Sequence, residues 1–102
     1  MAFAFIREFP IDGNDRSTRN YDAINERLVH AQAPDGLIIH YAGFDEDAGV
    51  FRIVNLWETR EQGKAYDEDH VMPAVWEVVG EDMGRPSRDT VYELHHVAHP
   101  AG

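Results

Sequence analysis

Four polar side chains in this sequence are suited to acid–base chemistry: His40, Asn55, Tyr66 and His96. An imidazole ionises near neutral pH, so His40 or His96 could act as general base or acid toward a bound substrate. An amide and a phenol could then hold the resulting anion by hydrogen bonds, the part given to Asn55 and Tyr66. Trp57 offers a flat apolar face and one N–H donor for stacking on an aromatic ligand. Tyr41 and His70 complete the candidate substrate-binding residues, with His70 at an entrance just ahead of Pro73. Each residue also has a plainer reading, because aromatic residues in strands are commonly core and a buried polar group must find a partner. Convergence of at least three of His40, Asn55, Tyr66 and His96 on one helix-side cavity favours an enzyme. Complete internal hydrogen bonding of both histidines, with Asn55 facing no cavity, favours a non-catalytic dimer that binds a small apolar ligand.

Other chemistries are poorly supported. There is no cysteine, which removes thiolate nucleophiles, redox pairs and cysteine-ligated metals. Ser17 and Ser87 sit in turn-like stretches with no nucleophile elbow around them, and no glycine-rich phosphate cradle occurs. His95 and His96 are neighbours in a strand-like run and point to opposite faces, while Asp67-Glu-Asp-His70 reads as a solvated helix surface, so no metal site is expected. With 19 acidic and 9 basic residues the formal charge of -10 would repel a phosphate backbone, which argues against a nucleic-acid partner. The N-terminal Met-Ala-Phe-Ala-Phe-Ile-Arg7 has neither the basic start of a signal peptide nor the length of a membrane span, so a cytoplasmic location with no membrane partner is expected.

The elements that must position these residues are legible in outline. At 102 residues the chain suits one domain, residues 1–102, with a single core. Phe3, Phe5, Arg7 and Phe9 alternate with Ala4, Ile6 and Glu8 in the period of a strand. Ser17 or Thr18 can cap a helix running from about Ser17 to Ala31, with Tyr21, Ile24, Leu28 and Ala31 along one stripe. Strands over about 37–44 and 50–58 follow as antiparallel neighbours, and Gly49 supplies the positive φ a short hairpin demands. Ala65, Tyr66, Met72, Val75 and Val79 mark a second helix that Pro73 should kink or split, and a last strand is predicted over Thr90–Val97.

The order βαββαβ is an α+β pattern, with helices on one face of a four-stranded antiparallel sheet. Ile6, Val54, Leu56 and Val97 make the opposite face too apolar for water, so a second copy covering it is the economical solution. The facing of His40 depends on the hairpin. Without a bulge, His40 would share a face with Arg52, away from Asn55, and a one-residue bulge reverses this. The parity of Tyr92 and Leu94 would direct His96 toward the helix-side cavity.

Gly36-Leu-Ile-Ile-His40-Tyr-Ala-Gly43, Phe51-Arg-Ile-Val-Asn55-Leu-Trp57-Glu58-Thr-Arg-Glu61, Met72-Pro-Ala74 and Glu93-Leu-His95-His-Val97 resemble the dimeric α/β-barrel superfamily. More narrowly they are similar to its small antibiotic biosynthesis monooxygenase-like proteins. The resemblance implies a ferredoxin-like protomer, two sheets closing into a barrel across a homodimer, and a pocket between each sheet and its own helices. It also implies cofactor-free oxygenation of an aromatic or polyketide-like molecule in secondary metabolism, with a polyketide cyclase or isomerase as the alternative. Asn55 stands where such relatives often carry a polar residue directed at the pocket, and Tyr66 about where haem-degrading relatives place a tryptophan. Tyr66 itself, and Trp76 in place of a histidine ligand, depart from the haem-degrading pattern, and no cofactor is expected.

Overall fold

The computed structural model describes residues 2–11, 18–29, 34–80 and 88–98. The expected helix ends at Ser17 and Ala31, the 81–87 loop and the tail beyond Ala98 lie outside the described residues. Strand β1 (Phe3–Pro10) is followed by helix α1 (Arg19–Val29), then by strands β2 (Leu37–Asp45) and β3 (Val50–Trp57). Helix α2 (Arg60–Tyr66), a π-helical segment (Asp67–Val71) and helix α3 (Met72–Val79) run on without a break, and strand β4 (Arg88–Glu93) closes the fold. The strands form one antiparallel sheet in the order β2-β3-β1-β4. Among the described residues no helix is long and apolar enough to cross a membrane.

The alternation of β1 divides the sheet as expected. Phe5, Arg7 and Phe9 look toward the helices, with Phe51, Ile53, Asn55 and Trp57 of β3. The other face carries Ala4, Ile6 and Glu8 beside Arg52, Val54 and Leu56. Ala4, Val54, Trp57 and Ala74 form the buried apolar core. Gly63 lets α2 lie directly on the sheet, since a Cβ there would come within 2.7 Å of the Phe5 and Trp57 rings. Thr59 starts α2, its hydroxyl accepting from Gln62 N–H at 3.2 Å and donating to Gln62 Oε1 at 2.9 Å.

Pro73 acts on the turn before it. Proline cannot donate to the preceding turn, and its ring crowds the carbonyl four residues back. The helix accommodates this by widening, so that Met72 N–H reaches Asp67 O, five residues back, before α-helical bonding resumes.

Two expectations need correction. The last strand is shifted, spanning Arg88–Glu93 instead of Thr90–Val97. Its ladder with β1 ends at Phe3 opposite Glu93, followed by one bond from Leu94 N–H to Ala2 O, leaving 95–97 without a strand partner. The hairpin parity also differs. Asp45 pairs with Val50, so the intervening loop holds an even number of residues and even positions of β2 face the same way as odd positions of β3. His40 therefore lies opposite Asn55 with no bulge between it and the turn. The irregularity sits farther along, between Leu37 and Ile39, and returns Leu37 to the helix side. Within the turn, Gly49 takes φ 69° and donates to Asp45 O at 2.9 Å.

Candidate functional site

The sheet's helix side and the overlying helices enclose a cavity of about 880 Å³. Its walls are mainly apolar and aromatic: Phe5, Phe9, Phe44, Phe51, Ile53 and Trp57 from the sheet, Ile24 and Leu28 from α1, and Val71, Val75 and Val79 from the second helical run. Rings brace the sheet side, with Phe44 and Phe51 centred 5.0 Å apart and Tyr21 edge-on to Phe51 at 5.4 Å.

Into this wall the fold sets a chain of three polar side chains. Cross-strand pairing brings the His40 Nδ1 and Asn55 Oδ1 atoms to 2.6 Å, and α1 brings the Tyr21 hydroxyl to 2.7 Å from His40 Nε2. Because Oδ1 can only accept, Nδ1 donates to it, and in the neutral form of the ring Nε2 is left to accept from the Tyr21 hydroxyl. The Tyr21 and His40 rings are within 11° of parallel with centroids 6.2 Å apart, an edge-to-edge meeting that suits this bond. Burial, and then the negative charge of Asp22, push the Tyr21 phenol above its ordinary pKa. The neutral hydroxyl is thus the favoured resting form.

Of the candidate catalytic residues, His40, Asn55 and Tyr66 all line the cavity, and His96 does not. His96 follows the end of β4, and the parity of Tyr92, which pairs beside Ala4, belongs to the opposite face. Trp57 is only 3% exposed and lies at the cavity floor against Tyr66, their rings centred 5.3 Å apart. Burial also raises the Tyr66 pKa. The His70 ring lies tilted against Tyr66, 5.1 Å between centroids, and lines an adjoining recess of about 290 Å³ with Trp57, Asp35 and Asp69. Tyr41 points away, opposite Val54 on the uncovered face, and is 55% exposed.

Tyr21 was not among the sequence candidates. Its spacing with Ile24 and Leu28 reads as core, and only the tertiary fold brings its hydroxyl to a histidine on another element. A second polar feature is Arg7, whose guanidinium is 3.4 Å from both Asp67 and Asp89 and joins β1, the π segment and β4. These contacts are long and partly exposed, so they weigh little in the stability of the fold.

No family model matches the sequence, and no curated protein matches it. Solved structures do. The chain is similar to the structure of Rv0793 from Mycobacterium tuberculosis, at 19% identity and a TM-score of 0.70 over 97% of this chain and 100% of that one. It is similar to a candidate antibiotic biosynthesis monooxygenase from Nitrosomonas europaea, at 14% identity and TM-score 0.69, over 93% of this chain and 91% of that one. SnoaB, a cofactor-independent oxygenase from Streptomyces nogalater, matches at 11% identity and TM-score 0.61, over 94% of this chain and 95% of that one. The fold is therefore the ferredoxin-like one of antibiotic biosynthesis monooxygenase-like proteins, and at these identities the likeness speaks for fold alone.

Proposed function

We propose that the protein is a small homodimeric enzyme, similar to the cofactor-independent monooxygenases, that acts on an aromatic or polyketide-like molecule by base-assisted anion formation and oxygenation. The observation that carries this reading is the convergence of His40, Asn55 and Tyr66 on one large apolar cavity. The apolar walls suit a flat polycyclic ligand, and the polar chain lies where that ligand's acidic group would be held. In this mechanism a proton leaves the substrate toward His40, and the Asn55 amide and Tyr66 hydroxyl stabilise the anion. The electron-rich anion passes one electron to dioxygen, and the radical pair joins to form a carbon–oxygen bond. The peroxide takes back the proton, and loss of water leaves a carbonyl. SnoaB, which shares this fold, is itself a cofactor-independent oxygenase.

The homodimer rests on the uncovered sheet face. Ile39, Tyr41 and Tyr92 are 48%, 55% and 47% exposed beside Val54 and Leu56, an apolar surface that a second copy of the sheet would remove from water.

Oxygen uptake with a series of hydroxyanthrones, without added flavin or metal, tests the reading. Catalysed uptake that is lost in His40→Gln and Asn55→Ala, both still folded, is the expected result. Substrate consumption without oxygen uptake would instead mark a cyclase or isomerase, which needs the same base and anion holders. One observation favours a non-catalytic ligand-binding dimer: both nitrogens of His40 already have partners. That reading requires ligand binding with no turnover in wild type or variants.

A further inference from the structure

His40 has no ring nitrogen left to face a ligand, since Asn55 takes Nδ1 and the Tyr21 hydroxyl takes Nε2. A base acting directly through Nε2 would require Tyr21 to swing away, yet its ring is held edge-on against Phe51, 5.4 Å between centroids, from a position on α1. Tyr21 itself lines the cavity. Its oxygen has acceptor capacity beyond the bond it donates.

From this geometry we infer that Tyr21 is the catalytic residue that meets the substrate's acidic proton, with His40 behind it as proton acceptor and Asn55 as the positioning residue of the imidazole. The inference rests on the proposed reading of the cavity as a site of base-assisted anion formation, and it names the acid–base group. In the step, the substrate O–H or C–H proton bonds to the Tyr21 oxygen while the phenolic proton bonds to His40 Nε2. The substrate keeps the electron pair as an anion, Tyr21 ends neutral, and His40 becomes an imidazolium whose Nδ1–H stays on Asn55 Oδ1. Reversal returns the proton to a later intermediate. The raised pKa of Tyr21 fits a relay that never stores a tyrosinate. The substrate class that follows is a weakly acidic phenol or enol on an aromatic ring system, presented edge-on to α1.

The test separates this step from oxygenation. With 1,8-dihydroxyanthrone as probe under nitrogen, stopped-flow absorbance follows formation of the coloured anion in wild type, Tyr21→Phe, His40→Gln and the double variant. Tyr21→Phe keeps the ring and its Phe51 contact, and thermal unfolding of each variant establishes that it is folded. The relay predicts that each single variant slows anion formation by about a hundredfold, and that the double variant is no slower than either. With the probe first exchanged in each water–deuterium oxide mixture, a quadratic dependence of the wild-type rate on deuterium content, reporting two protons in flight, should become linear in Tyr21→Phe. If Tyr21→Phe equals or exceeds wild type while His40→Gln is inactive, His40 acts directly and the relay is wrong. If wild type does not accelerate anion formation at all, the proposed function fails along with it.

Discussion

The two faces of the sheet are built from alternate residues of the same strands, yet they treat polar and apolar groups in opposite ways. On the helix side, polar groups are bonded to one another within an apolar wall: Tyr21, His40 and Asn55 form one chain, and Arg7 with Asp67 and Asp89 another group. On the other side, Ile39, Tyr41 and Tyr92 stand in the open, while the charges gather near the hairpin. There Arg52 lies 2.8 Å from both Glu8, which is only 8% exposed, and Asp45. Under the proposed function, one face is the reaction vessel and the other the joint between two copies. Period-two alternation lets one strand serve both, because a residue's parity decides its face.

Substitutions on the two faces should therefore differ in kind. The largest effect is expected for Trp57→Ala, which empties the cavity floor beneath Tyr66 and should lower unfolding stability by about 3–5 kcal/mol in urea titrations. That loss should be nearly independent of protein concentration. Gly63→Ala comes next, at about 1–3 kcal/mol, because α2 must lift to clear Phe5 and Trp57. Tyr41→Arg should alter the fold of one chain by about 0.5 kcal/mol or less. It should nonetheless reduce the sedimenting species from two chains to one, with ligand binding in the helix-side cavity retained. Unfolding of Tyr41→Arg that tracks Trp57→Ala would break the division between the faces.

The smallest effect concerns pH. The Ala48 N–H, and then Arg52, hold the Asp45 carboxyl below its ordinary value. A depressed folded-state pKa contributes stability above the unfolded value, about 3.9, which is lost as pH falls through the lowered one. Acid unfolding of Asp45→Asn should lack that increment, while the Tyr21–His40–Asn55 chain is untouched.

Much of this arrangement could be read in the sequence where the controlling physics is local. The alternation from Phe3 to Phe9 placed the helix-facing residues of β1, and Pro73 marked the helix irregularity within a few residues. Asn55, Trp57 and Tyr66 reach the cavity because strand and helix periods carry them there. His40 was undetermined because one residue of loop length between Asp45 and Val50 inverts its face. Tyr21 escaped notice because its helical spacing resembles ordinary packing and its hydroxyl's partner lies on another element. The extrapolation to His96 failed because a strand lasts only as long as its partner, which periodicity within the strand does not reveal.

The π-helical segment has a consequence for the second helical run. In an uninterrupted α-helix one added residue would turn everything after it by about 100° around the helix axis, at about 3.6 residues per turn, and the wider π turn takes that residue up. Asp67–Val71 thus works as a phase shifter, allowing Tyr66 before it and Val71, Val75 and Val79 after it to face the same cavity. Regular α-helical bonding of the same residues would put the two halves out of register, whereas deleting one residue there would leave a plain α-helix with both halves still facing the cavity. The cavity keeps its wall because the chain takes up a single surplus residue ahead of Pro73 in one widened turn.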